Sequence, residues 1–217
     1  MTILPGLTTT VKERIGPFVR ELRSSDVRAI ALFPTVLLPE ERRSLYDELA
    51  RIEGLCIPHV HVRTDIDRGE IVYLAERFSS SLFNIHPRRS THPYPDVPPD
   101  FADRFFVENV MVPPEDEELE LLGGICPDYS HLENARLQGR AEQVAAVERQ
   151  LLRFPIGCCH VSAIRVGDPN RWSGEWDHHN FIELHDFDYL QHYTPVLPDR
   201  YISLELENPL HQQLEAA

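Results

Sequence analysis

The chain has 217 residues, 42% hydrophobic and 26% charged, which suits one substantial domain of a globular protein. Its formal charge of -14, with 21 Lys and Arg of which only Lys12 is a lysine, opposes binding to extended nucleic acid. No apolar run is long enough to span a bilayer, and "MTILPGLTTTVKER" lacks the basic start and apolar stretch of a secretory leader, so a cytoplasmic location is expected.

Short apolar segments alternate with amphipathic ones. "TILPGL" opens the chain, and Thr10-x-x-Glu13 predicts a capping box for a helix carrying Val11, Ile15, Phe18, Val19 and Leu22, with Pro17 near its start. "RAIALFPT" reads as a strand, Pro39 to Ile52 as a helix, "LCIPHVHVR" as a strand and Gly69 to Phe78 as a helix. "SLFNIHP", "FFVENVM" and "GGICPD" are further strands, with the acidic "PPEDEELELL" a short helix before the last. Residues 135–153 predict one long helix, with Leu137, Val144, Val147 and Leu151 on one face. "IGCCHVSAI" and "RYISLELEN" close the series, separated by a long stretch from Arg165 to Asp199 rich in His, Asp and Trp. Strands beginning near residues 2, 28, 55, 81, 105, 123, 156 and 200 predict eight parallel β/α units, hence a compact (β/α)8 TIM barrel forming a single domain over residues 1–217. Cys56, Cys126, Cys158 and Cys159 form no CxxC pair and lie in strand-like segments, so buried free thiols are expected.

The unusual polar residues fall where the strands end. His59 and His61 end the third strand, His86 the fourth, Glu108 the fifth, and Asp128 with His131 the sixth. His160 lies on the seventh and Glu205 on the eighth, with Glu207 two residues further; Asp177 and His179 belong to the long stretch between them. Each has a plain alternative: Asp128 as a helix cap, a histidine as a rim residue, a glutamate paired with arginine. Carboxylates gathered at one barrel mouth repel unless cations join them, and a mixed imidazole and carboxylate set suits Zn, Mn or Fe.

The ordered series "ALFPT", "CIPH", "LFNIHP", "VEN", "DYSH", "CHVS", "DHH" and "SLELENPL" resembles the xylose isomerase-like TIM barrels, the superfamily of endonuclease IV and of sugar and sugar-phosphate isomerases and epimerases. The resemblance spans essentially the whole chain. It implies one to three divalent ions: one held by His59 and His86 with Glu108 bridging, a second completed by Asp128, His160 and Glu205, a third by His131, Asp177 and His179. In the isomerase relatives Glu108, Asp128, His160 and Glu205 would hold one catalytic metal, with His131 and Arg165 contacting substrate. Many relatives follow Asp-x-His with a Pro/Gly-rich turn, where this chain has Asn180-Phe181-Ile182-Glu183, and the long DNA-bending loops of endonuclease IV have no counterpart.

Two chemistries suit such a site. One is isomerisation or epimerisation of a small sugar or sugar phosphate, with Glu108 and Glu205 as general base and acid. The other is a multinuclear phosphoester hydrolase acting on a small substrate rather than duplex DNA. A metal-dependent oxidase or a non-enzymatic metal-binding module are further readings of the same residues. Arg88 and Arg89, directly after His86, are either solvated loop charges or an anion clamp. Trp172 and Trp176 either pack within the long loop or wall the substrate pocket.

Overall fold

The computed structural model describes residues 1–170 and 173–217. Its strands are β1 (Thr2–Leu4), β2 (Gly6–Thr8), β3 (Ala29–Phe33), β4 (Cys56–His61), β5 (Leu82–Ile85), β6 (Phe105–Glu108), β7 (Gly124–Cys126), β8 (Cys159–Val161), β9 (Ala163–Ile164), β10 (Asp177–His178) and β11 (Tyr201–Leu204). The helices are α1 (Ile15–Ser24), α2 (Pro39–Leu49), α3 (Arg68–Phe78), α4 (Asp116–Leu121), α5 (Tyr129–Leu137), α6 (Ala141–Arg153) and α7 (Leu210–Ala216), with 3-10 turns at Lys12–Arg14, Pro99–Arg104 and Leu184–Val196.

The fold is mixed α/β. A six-stranded parallel sheet runs β2-β3-β4-β5-β6-β7, and a three-stranded parallel sheet runs β1-β11-β8. The long stretch before β11 contributes a small antiparallel pair, β9 with β10. Two parallel bridges, Ile125 with Ile156 and Asp128 with His160, tie β7 to the chain entering β8. At the other margin β1 and β2 are separated only by Pro5, whose carbonyl accepts from the Ala31 amide at 2.9 Å. A Cβ built on Gly6 would lie 1.8 Å from the Leu204 carbonyl oxygen, so the close approach of β2 to β11 requires glycine there. Gln213 on α7 seals that seam, accepting from the Gly6 amide at 2.7 Å and donating to the Gly6 carbonyl at 3.0 Å.

Residues two apart on a strand share a face, and this places an apolar layer directly beneath each polar strand end. Leu82 precedes Asn84, Phe106 precedes Glu108, Cys126 precedes Asp128, and Cys158 precedes His160; these four apolar side chains form one buried cluster. Leu4, Ala31 and Phe33 form another. The opposite strand faces, with Val60, Phe83, Ile85, Phe105 and Val107, pack outward into the main core with Leu45, Leu49, Ile71 and Leu74 of the helices. All four cysteines are free, and Cys56 is only half-buried.

Two predicted local features take another form. The helix expected over 135–153 is broken, because Gly139 at φ 72° turns the chain between α5 and α6. The Thr10 capping box does not form: α1 begins at Ile15 without a side-chain cap, and the Thr10 hydroxyl donates to Glu207 across the β2–β11 seam. No helix among the described residues is long and apolar enough to cross a membrane.

Candidate metal centre

Glu108, Asp128, His160 and Glu205 are each no more than 5% exposed and meet at the ends of β6, β7, β8 and β11. His160 Nδ1 lies 3.5 Å from Glu108 Oε2 and 3.4 Å from Glu205 Oε2, and neither ring nitrogen has a hydrogen-bond partner. His61 Nδ1, 3.6 Å from Glu108 Oε2, is likewise buried and unpartnered. His86 extends the group outward, its Nε2 4.0 Å from the same oxygen. Donor atoms of His61, His86 and Glu108, of His61, His160 and Glu205, and of Glu108, Asp128 and His160 converge closely enough for each set to hold a metal ion.

Asp128 does two things. Its Oδ1 accepts from the Ser130 hydroxyl and, at 2.9 Å, from the His131 amide, capping α5. Its Oδ2 is buried with no hydrogen bond and lies 3.6 Å from His131 Nε2. Cap and candidate ligand are therefore the two oxygens of one carboxylate. Asn109 holds the residue in place, pairing with both its backbone amide and its carbonyl at 2.9 Å.

His131 Nδ1 reaches Asp177 Oδ2 at 3.0 Å, while Asp177 Oδ1 is another buried, unpartnered atom. His179 Nε2 stands 4.0 Å from Glu205 Oε1, so the long stretch before β11 folds back onto the strand ends. Of seven buried side-chain polar atoms without a partner among the described residues, five belong to His61, Asp128, His160 and Asp177. Buried polar groups ordinarily find partners, and here the unpaired atoms gather where the candidate metal-holding groups lie.

The electrostatics have the same origin. Burial, then the charges of Asp128 and Glu205, pushes the Glu108 carboxyl well above the usual range. Burial, then His86, holds His61 well below the ordinary imidazole value. Burial, then His92, brings His86 down to about 4, leaving it neutral at neutral pH with one ring nitrogen able to offer a lone pair. For His131 burial works downward, but Asp128 and Asp177 outweigh it and hold the imidazolium well above the ordinary value. Glu205 is lowered despite burial by His179, His160 and His61. Adjoining carboxylates and imidazoles pushed in opposite directions are what a cation pocket or an acid–base pair requires.

Several expected contacts fall elsewhere. His59 lies deeper: it is fully buried, with Nδ1 2.7 Å from the Ser203 hydroxyl and Nε2 3.0 Å from Asn84 Oδ1, and with Cys126 and His160 it forms a further set of donor atoms close enough to hold a metal ion. His61, one layer higher on the same strand face, is the histidine facing His86 and Glu108. Glu207 accepts from Thr10 and Arg14 and leaves the strand-end position to Glu205. Arg165 donates to Asp168 at 2.9 Å and the Asn180 carbonyl at 2.7 Å and contacts His178 at 2.6 Å, bracing the β9–β10 pair. Arg89 pairs with Glu115, and Arg88 lies over Tyr94 near Glu118, so α4 engages both arginines of the expected anion clamp. Trp176 is half-buried, its amide donating to Asn134 at 2.9 Å; Trp172 lies outside the described residues. A surface cavity of about 760 Å³, lined by Glu133, Arg165, His185 and Tyr189 among others, is separate from the cluster.

Asn84, Asn109, Ser203 and His92 were not singled out from the sequence. Asn84 and Asn109 do flank His86 and Glu108 at strand ends, which is the one local signal available. His92 brings its ring within 4.7 Å of the His86 ring. No protein-family model and no curated protein matches the chain.

Proposed function

We propose that this chain is a metal-dependent enzyme on a closed (β/α)8 barrel, acting as an isomerase or epimerase of a small sugar. Barrel closure is supported by the bridges from β7 to the β8 segment and by β1 and β2 acting as one strand interrupted at Pro5. The cation reading rests on the buried, unpartnered donor atoms of His61, Asp128, His160 and Asp177 around Glu108 and Glu205. His61, His86, Glu108, Asp128, His160 and Glu205 would hold the ion or ions, with His131, Asp177 and His179 at the outer side. Zn, Mn or Fe fits this donor set.

A cation held by these residues would supply Lewis acidity, polarising a carbonyl and its neighbouring hydroxyl so that the adjacent carbon would become more acidic. Glu108 and Glu205 stand on either side of His160, and their opposed shifts suit one to hold a proton while the other takes one. The engagement of Arg88, Arg89 and Arg165 elsewhere favours a neutral polyol over a phosphorylated one. The number of candidate ligands favours a second reading, a phosphoester hydrolase with several metals.

Incubation with aldose and ketose sugars in deuterated water separates the two. Proton transfer at carbon puts deuterium on the substrate, and Glu205→Gln with its metal content retained abolishes it. Phosphate release from small phosphoesters without carbon exchange would establish the hydrolase instead.

A further inference from the structure

The His59 hydrogen bonds form part of a chain that ends on Glu108. Ser203 on β11, His59 on β4, Asn84 on β5 and Glu108 on β6 are all buried and linked in series, at 2.7 Å, 3.0 Å and 2.7 Å. The Asn84 amide donates N–H to Glu108 Oε2 and turns its oxygen to His59. That oxygen requires His59 Nε2 to carry the hydrogen. Nδ1 is then a lone pair, which takes the Ser203 hydroxyl hydrogen. Each link sets the polarity of the next, and both ring nitrogens of His59 are engaged in this chain.

Glu108 Oε2 is also the oxygen facing His61, His86 and His160, at 3.6, 4.0 and 3.5 Å. Among the described residues Asn84 is the one group that hydrogen-bonds to this oxygen, while Asp128 and Glu205 repel the carboxylate. We propose that Ser203, His59 and Asn84 are a positioning relay that fixes the orientation of Glu108 and thereby the cation affinity of its pocket. The inference about affinity rests on the cation reading above; the relay itself does not. Partners behind a metal ligand commonly govern affinity by about 10- to 100-fold.

The test uses the full-length protein with Co²⁺ as probe, followed by calorimetry and by the visible absorption of the bound ion. His59→Leu and Asn84→Leu are expected to weaken Co²⁺ binding by about 10- to 100-fold and alter the spectrum. His59→Gln, which keeps a donor towards Asn84, is expected to restore affinity. Ser203→Ala, the mildest change, covers the case in which a leucine variant fails to fold, and is expected to weaken binding by a smaller factor. Nitrogen-15 NMR of the metal-free wild type is expected to show His59 as the Nε2–H tautomer with a slowly exchanging proton. An Nδ1–H tautomer, or wild-type affinity and spectrum in folded His59→Leu and Asn84→Leu, overturns the relay. Absence of Co²⁺ binding by wild type, with the Nε2–H tautomer present, removes the cation reading and supports the relay as a device that orients Glu108.

Discussion

Two regions of this molecule bury charge, and they do so in opposite ways. Around Arg42, which is 1% exposed, every guanidinium nitrogen is engaged: Nε and Nη2 donate to Glu70 at 2.6 and 2.8 Å, and Nη1 to Asp65 and the Leu37 carbonyl at 3.0 and 3.1 Å. Tyr46 completes the set by donating to Glu70 at 2.8 Å. At the strand ends carboxylates and imidazoles are buried too, but polar atoms of His61, Asp128, His160 and Asp177 have no hydrogen-bond partner among the described residues. The first cluster is closed on itself and joins α2 to α3. The second leaves buried donor atoms that could hold a metal ion.

The sharpest break of this comparison is in stability. Arg42→Met leaves Glu70 without its guanidinium partner and is expected to cost about 3–5 kcal/mol in urea unfolding, with little change in cation affinity once folded. Asp128→Asn should do the reverse. Asparagine keeps the Oδ1 cap of α5, so metal-free stability stays within about 1 kcal/mol. The variant loses the stabilisation by cation, which in wild type amounts to about 2.7 kcal/mol at a hundredfold excess over Kd. Thermal melts with and without Zn²⁺ or Mn²⁺ read both numbers; an unchanged metal response in Asp128→Asn would remove Asp128 from the ligand set.

Acidity sharpens the contrast next. Glu108 and His131 are both raised in the metal-free protein, so each can carry a proton that an incoming cation must displace. Affinity is then expected to rise with pH, by up to about tenfold per unit for each proton released. His86, lowered to about 4, stays deprotonated above that pH and does not compete. Calorimetry in buffers of different ionisation heat counts the protons; zero release across pH 5 to 8 would contradict these shifts. The smallest effect belongs to the loop after β5. Arg88 and Arg89 lie at the surface against Glu118 and Glu115, so their double alanine variant should cost no more than about 1 kcal/mol and leave anion binding unchanged. A selective loss of phosphorylated ligands would restore the anion clamp.

Much of this was legible in the chain. Apolar runs bounded by turns located the strands, and the residue types at "NIHP", "VEN", "PDYSH" and "LELEN" located the cluster, because a strand end is a local property. The break at Gly139 was not foreseen, since the apolar periodicity continues across it while a single positive φ interrupts the helix. The Thr10 box was expected from spacing alone, and a carboxylate from the far end of the chain, Glu207, took the hydroxyl instead.

By itself, then, the sequence located most of the strands and helices and determined that imidazoles and carboxylates stand at successive strand ends. Period-two alternation puts His59 and His61 on one face, and Glu205 and Glu207 likewise, so no pattern of that period can choose between the members of either pair. The choice required neighbours far along the chain. Ser203 lies 144 residues from His59, and Thr10 lies 197 from Glu207. The arginines teach the same lesson: a guanidinium advertises charge in any sequence, but the carboxylate or carbonyl that meets it is set only when helices and loops pack. Tertiary structure decided which side chains were consumed by one another and which were left with lone pairs to offer, because hydrogen bonds are short-ranged and directional whereas sequence patterns are neither.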